Sequence, residues 1–407
     1  YEPWLPVRVV TGRRLVDVQH TSRTDFATGI QRVTREVTRR WVEEHDVTLV
    51  GWRDDFSAMR ALTDDECHRA CWGGSPVTVP SDDPILVPWN CTYILPELAA
   101  EVGRASRLQA MAQCSPTTLN MIGYDLVPIT TAETSHDGLV PGFARNLAAA
   151  RYARAVVPIS VGAANEYRGW RSMLQGTGLG GPRVDPVVLP AEAPPEDPDA
   201  TAGAAARLLV GTLPLILVVG SHEPRKNHLP LLHAAELLWR EGQAFSLTFI
   251  GGNSWNSDDF VAALDQLQAA GRPVEAISAA TDDLLWGGYR VARFTAFPSL
   301  NEGFGLPVAE SLACGTPVVT SRFGSMKEIA DAGGGALLVD PRDDRSILDA
   351  MRTLLTDDEI YGALVAEACS RPVRTWDTYA RQTWALLVAG DNHAMAGTGG
   401  DPRGTGT

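Results

Sequence analysis

The segment Ser221-His222-Glu223-Pro224-Arg225-Lys226-Asn227-His228 sets a guanidinium beside an ammonium. A planar fork of donors next to a compact point charge is a pair of groups that suits a diphosphate. Further along, Pro298-Ser299-Leu300-Asn301-Glu302-Gly303-Phe304-Gly305-Leu306-Pro307-Val308-Ala309-Glu310 carries two carboxylates around a glycine-bearing turn. Pro307 fits the opening of a helix, where its missing N–H costs nothing. The backbone N–H groups of Phe304, Gly305 and Leu306 would then point out of the helix start, toward an anion or sugar hydroxyls. Glu310 falls about one turn into that helix and Glu302 ahead of it, so both acids can face one crevice. A third segment, Thr28-Gly29-Ile30-Gln31-Arg32-Val33, puts Gly29 at a helix entry, where backbone can approach phosphate closely. Each segment also has a plainer reading: a solvated basic pair, exposed carboxylates, a turn glycine.

Elements that could bring these segments together are legible in the alternation of short β-branched runs with longer helix-like stretches, the pattern of parallel sheets joined by crossover helices. In the first half the expected strands are 15–18, 47–50, 85–87 and 155–157, with helices over 30–43 and 142–154. The stretch Pro190 to Ala200 is rich in proline and acid and is expected to hold no regular element. Beyond it Leu215-Ile216-Leu217-Val218-Val219-Gly220 reads as a strand buried on both faces, followed by strands at 247–250, 294–297 and 317–320 and a helix at 308–313. The organisation expected is therefore a first Rossmann-like domain over 1–189, a linker over 190–204, a second Rossmann-like domain over 205–371, a final helix over 372–390 and a flexible tail over 391–407. Ligands of such sheets bind outside the carboxyl ends of the strands, which is where Ser221 to Lys226 and Glu302 to Leu306 fall.

With 407 residues the chain is long enough for two cores. Its net charge of −14 and pI near 5.0 repel a polyanion, which argues against nucleic acid. No apolar run reaches the ~18 residues of a membrane helix, and Tyr1-Glu2-Pro3-Trp4, which does not begin with Met, shows no signal-peptide pattern. The chain reads as cytoplasmic, with peripheral association at the inner membrane face where an acceptor is lipid-linked. Cys67, Cys71, Cys91, Cys114, Cys314 and Cys369 are scattered and read as packing residues. Asp197-Pro198-Asp199 lies in the linker without supporting ligands, so no metal site is expected.

The run Asn301 to Glu310, followed by Cys314-Gly315-Thr316-Pro317-Val318-Val319, resembles the Glu-x7-Glu motif of retaining glycosyltransferase family 4. Arg225-Lys226-Asn227, Ser325-Met326-Lys327-Glu328-Ile329 and Trp376 occur in that family's order. The resemblance implies a GT-B fold, with two Rossmann-like lobes facing across a cleft. It implies a metal-independent hexosyltransferase with no cofactor beyond its nucleotide-sugar donor. Arg225 and Lys226 would hold the diphosphate, Glu310 the ribose, and Glu302 with the backbone of Gly303 to Leu306 the transferred sugar, Ser221 and Gly29 completing the donor side. Asp25-Phe26-Ala27-Thr28-Gly29-Ile30-Gln31-Arg32-Val33-Thr34-Arg35 is similar to a subgroup that builds bacterial polysaccharides from GDP-mannose or dTDP-rhamnose, on glycan or lipid-linked acceptors. In Gly123-Tyr124-Asp125-Leu126-Val127-Pro128, Tyr124 stands where many members carry histidine, so Tyr124 and Asp125 are the candidates on the acceptor and sugar side. The rival readings are a GT-B phosphorylase or sugar-nucleotide epimerase, and a non-catalytic lobe that binds nucleotide sugar or glycan inside a biosynthetic complex.

Overall fold

The computed structural model describes residues 5–24, 28–74, 84–134 and 138–390. Tyr1 to Trp4, Asp25 to Ala27 and the expected tail over 391–407 lie outside the described residues.

The first lobe runs β1 (Val7–Thr11), β2 (Arg14–Asp17), α1 (Gly29–Glu44), β3 (Val47–Trp52), β4 (Met59–Ala61), α2 (Asp64–Trp72), β5 (Ile85–Trp89), β6 (Thr92–Leu95), α3 (Val102–Cys114), β7 (Thr118–Gly123), α4 (Val127–Thr130), α5 (Leu139–Ala150), β8 (Ala155–Pro158), α6 (Val161–Gly176) and β9 (Arg183–Val184). Its sheet has the order β1-β5-β4-β3-β2-β6-β7-β8-β9, parallel except where β4 runs against β3 and β5. The second lobe runs α7 (Pro198–Leu208), β10 (Leu215–Val219), α8 (His228–Arg240), β11 (Ser246–Ile250), α9 (Asp258–Ala269), β12 (Val274–Ile277), α10 (Asp282–Val291), β13 (Phe294–Phe297), α11 (Leu306–Ala313), β14 (Val318–Ser321), α12 (Gly324–Asp331), β15 (Ala336–Val339), α13 (Asp344–Thr356) and α14 (Asp358–Cys369). Its six strands are all parallel, in the order β12-β11-β10-β13-β14-β15. The last helix, α15 (Trp376–Val388), returns to the first lobe, where the Trp41 indole N–H donates to the carbonyl of Ala380 at 3.0 Å and Arg154 to that of Leu387 at 2.8 Å.

Burial explains the elements. Leu215, Ile216, Leu217 and Val218 are all buried, as a strand sandwiched between helices requires. Val33, Val37 and Trp41 recur at helical spacing on α1 and turn its apolar side inward. The core cluster that takes them in also contains Phe304, Val308 and Leu312 of the second lobe and Trp376, Tyr379 and Trp384 of α15. One apolar core therefore crosses the boundary between lobes.

The linker expectation needs one correction. No element forms up to Glu196, but Pro198 opens a helix, because the Asp197 side chain accepts the N–H groups of Asp199 and Ala200 and Pro198 needs no N–H partner there. Asp197, expected to be a linker acid, is a helix cap. No helix among the described residues is long and apolar enough to cross a membrane.

Candidate functional site

In the second sheet β10 lies beside β13, so the connections leaving these neighbours depart toward opposite faces and open a crevice at their carboxyl ends. Arg225 and Lys226 follow β10, and Glu302 follows β13. The crevice brings them together: Lys226 Nζ lies 2.6 Å from Glu302 Oε1, and Arg225 Nη1 2.6 Å from Glu302 Oε2. Ser299 Oγ donates to Glu302 Oε1 at 2.6 Å, Arg225 Nη1 also donates to the Asn301 carbonyl at 2.9 Å, and Arg225 Nη2 reaches Glu223 Oε1 at 2.6 Å. Lys226 Nζ sits 4.8 Å from the centroid of the Phe297 ring.

Burial alone would push Glu302 up, yet the charges of Arg225 and Lys226, with hydrogen bonds from Lys226 and Ser299, outweigh it and bring the carboxyl down to about 2. Glu223 is raised, since burial there exceeds the pull of Arg225 and Lys226. Asp125 follows β7 in the first lobe and crosses to the same place. A Cβ on Gly303 would stand 2.4 Å from Asp125 Oδ2, so any larger residue there would displace the carboxylate. Burial raises Asp125 to about 6, Arg225 opposes this, and Glu166 and Glu302 add to it.

α11 begins with Gly305 at φ +100°, a left-handed conformation that suits glycine, and carries Pro307 in its first turn. The N–H groups of Phe304, Gly305 and Leu306 donate to no acceptor among the described residues. The Phe304 side chain is buried, which leaves its backbone as the group it can offer to the Glu302 crevice. One turn on, Glu310 is buried, its Oε2 accepting from the Tyr289 hydroxyl at 2.8 Å while Arg32 of α1 holds its Oε1. Gly29 stands at the start of α1 against Leu306, whose Cδ1 would lie 3.3 Å from a Cβ placed there. Ser221 lies half-buried on the loop that leaves β10.

Tyr124 goes elsewhere. It is buried in the core, and its hydroxyl donates to the Pro96 carbonyl at 2.6 Å. Its neighbour Asp125 is therefore the residue of that pair that meets the Glu302 loop.

Several participants carried no signal of their own in the sequence. Glu223, Ser299 and Tyr289 acquire their places only through pairing. Arg32 belonged to the first-lobe motif, but its reach to Glu310 depends on how the lobes meet. Glu166 of α6 accepts the Leu126 N–H at 2.7 Å and the Thr130 hydroxyl at 3.3 Å, which fixes the turn that follows Asp125. A second brace joins the lobes beside the site: Ser160 Oγ donates to the Gly303 carbonyl at 2.6 Å, and Glu328 of α12 accepts the first N–H groups of α6, from Val161 at 3.0 Å and Gly162 at 3.1 Å.

Residues 204–371 match the family described as glycosyl transferases group 1. The serotype-specific mannosyltransferase WbdA of Escherichia coli is 27% identical over 348 residues, which cover 79% of this chain and 40% of that protein. The chain thus spans about two fifths of the length of this curated relative. Among solved structures, sucrose-phosphate synthase from Thermosynechococcus elongatus superposes with a TM-score of 0.65 at 18% identity, covering 92% of this chain and 98% of that one. HepE of Anabaena, in complex with UDP and glucose, gives a TM-score of 0.63 at 13% identity over 92% and 99% of the two chains. The fold is GT-B, as the motif resemblance implied, and the chain is related to glycosyltransferases through a second lobe that matches their family.

Proposed function

We propose that this relative of the glycosyl transferases moves a hexosyl group, of the mannose or rhamnose type, from a nucleoside diphosphate sugar to a hydroxyl of a glycan or lipid-linked acceptor, with retention at the anomeric carbon. The observation that carries the reading is the convergence of Arg225 and Lys226 on Glu302 at the crevice between β10 and β13, beside N–H groups at the start of α11 that have no acceptor among the described residues.

Departure of the nucleoside diphosphate leaves negative charge on its phosphate oxygens and positive charge on the anomeric carbon. Arg225, Lys226 and the α11 N–H groups answer the first, and Glu302, held ionised at any working pH, answers the second. The donor diphosphate takes Lys226 in exchange for Glu302, whose carboxylate retains Arg225 and Ser299. Glu310 exchanges Arg32 for the ribose hydroxyls and keeps the Tyr289 hydroxyl. The acceptor hydroxyl attacks from the face the diphosphate leaves, and its proton passes to a departing phosphate oxygen. Side-chain cations do the work that a divalent ion does in other transferases, so turnover is expected to survive chelation. Similarity to the Escherichia coli mannosyltransferase supports a mannosyl donor, and the motif resemblance favours GDP or dTDP as carrier. A cytoplasmic enzyme lying at the inner face of the membrane fits a lipid-linked acceptor.

A thermal-shift panel of GDP, dTDP, UDP and their sugars tests the donor, because a ligand that binds only the native state raises Tm. The expected result is a shift with one nucleotide that is lost in Lys226→Ala, together with release of that nucleotide from its sugar only when acceptor glycan is present. No shift with any of them, in a folded protein, removes the proposal.

A further inference from the structure

Against α11 lies a cavity of 820 Å³ whose lining includes neither Glu302 nor Glu310. It is bounded by the two places where the chain crosses between lobes, the linker from Val188 to Glu196 and the segment from Cys369 to Arg374. Its size falls in the range of small-molecule sites, roughly 300–1,000 Å³. Part of its wall is apolar, from Leu189, Phe304, Ala309, Leu312 and Ile329. The remainder is charged, and the two signs differ in how they are satisfied.

Three arginines line it: Arg290, Arg371 and Arg374. Every hydrogen bond they make goes to a neutral acceptor. Arg290 donates to the carbonyls of Pro194 at 2.6 Å and Trp286 at 3.3 Å, Arg371 to those of Gly334 at 2.5 Å and Ile329 at 2.7 Å, and Arg374 to the Gln382 side chain at 2.6 Å. None of them forms an ion pair among the described residues, and Arg374 Nε is buried with no partner at all. The carboxylates of the wall are differently placed. Glu328 is committed to the N-terminus of α6, Glu192 accepts the Trp376 N–H at 2.8 Å, and Glu196 is exposed at the rim. Half-buried cations without a counter-charge are costly unless an anion joins them.

We propose that this cavity is a second ligand site, distinct from the donor crevice, which takes a small organic phosphate: the phosphate on Arg290, Arg371 and Arg374, the apolar side of the molecule on Leu189, Phe304, Leu312 and Ile329. Phosphate is favoured over carboxylate because its greater charge and additional oxygens answer more of the three guanidiniums on this wall. The occupant touches both interlobe crossings and the flank of α11 next to the face that carries Glu310, so its binding is coupled to lobe closure and to donor affinity. By reciprocity, a nucleotide that closes the lobes changes affinity for the occupant by the same factor.

The probes are hexyl phosphate, glucose 1-phosphate and inorganic phosphate, titrated by calorimetry into the whole chain with the donor crevice saturated by the nucleoside diphosphate of highest affinity. If no nucleotide binds, the same titrations run without it, which keeps failure here separate from failure of the proposed activity. Hexyl phosphate or glucose 1-phosphate is expected to bind at least ten-fold more tightly than inorganic phosphate, the better of the two showing whether alkyl or sugar fills the apolar wall. Arg290→Gln combined with Arg374→Gln should weaken binding ten-fold or more. A readout without substitution is alkylation by N-ethylmaleimide: Cys369 lines the cavity and is exposed, Cys114 is exposed elsewhere, and the bound probe should slow labelling of Cys369 relative to Cys114. Equal binding by the double variant, an unchanged Cys369 to Cys114 ratio at saturation, or no binding of any probe overturns the site.

Discussion

Each lobe has a place where neighbouring strands send their connections to opposite faces, β2 beside β6 in the first and β10 beside β13 in the second, and the chain treats the two in opposite ways. Between β2 and β6 the space is closed. Asp17, Glu97 and Arg104 are essentially inaccessible, with Arg104 Nη2 2.9 Å from Asp17 and 2.6 Å from Glu97, the Tyr93 hydroxyl on Asp17, and the N–H groups of His20 and Thr21 on Glu97. Between β10 and β13 similar charges meet, but Arg225 and Lys226 keep partial exposure, Glu223 is left with a raised affinity for its proton, and N–H groups nearby have no acceptor among the described residues. Two carboxylates and one arginine, fully hydrogen-bonded, make a structural plug. Two cations on one carboxylate, at the edge of a cleft, leave charge that a ligand can take over.

The contrast can be broken most forcefully at Arg104. Arg104→Ala strands two buried carboxylates, and removing one partner of such a network costs about 3–5 kcal/mol. The urea midpoint should fall accordingly, whereas a loss under about 1 kcal/mol would mean that the plug is not structural. Lys226→Ala should show the reverse profile, with turnover lowered about 10²–10³-fold in steady-state assays and little change in the urea midpoint, since Glu302 keeps Arg225 and Ser299. A variant that unfolds instead would erase the distinction between the two places.

Acid sharpens it. Glu302 titrates at about 2 in the fold against an ordinary 4.5, so its ion pairs add stability above pH 4.5 that is lost as pH falls toward 2. The full difference is about 3 kcal/mol, and Glu302→Gln should flatten the acid limb of a stability–pH curve by that order. Asp125 runs the other way. With its carboxyl raised to about 6 from 3.8, it binds a proton in the fold that the unfolded chain has released, so it lowers stability as pH rises from about 4 to 6. A step near pH 6 in the rate profile should vanish in Asp125→Asn. The smallest effect is expected at Glu328→Gln, which keeps the hydrogen-bonding shape but removes charge from the start of α6. A loss of about 0.3–1 kcal/mol should appear in the urea midpoint, and weaker lobe closure as a raised donor KM.

Much of this was open to reading in the chain. Leu215 to Val219 had to be a sandwiched strand, and Arg225 with Lys226 directly after it had to fall at a sheet edge. Less was readable where elements lack contrast. Strand β6 follows β5 after only Asn90 and Cys91, too short a gap to mark two elements that lie apart in the sheet, and α7 hides behind the prolines of the linker, because the Asp197 cap that rescues it is a matter of geometry. Tyr124 and Asp125 look equally placed in sequence. A peptide chain that alternates sides at the end of β7 sends one into the core and the other across the cleft.

Residue type and spacing by themselves determined the lobes, their parallel sheets, and the positions of the basic pair and both acids relative to the strands, since periodicity and turn chemistry are local. Only the tertiary structure decided which charges meet. That Lys226 and Arg225 share Glu302, that Arg32 takes Glu310 from the other lobe, and that Arg290, Arg371 and Arg374 line one cavity with no ion pair among the described residues all follow from strand order and lobe closure. Those are properties of segments far apart in the chain, which no local pattern encodes.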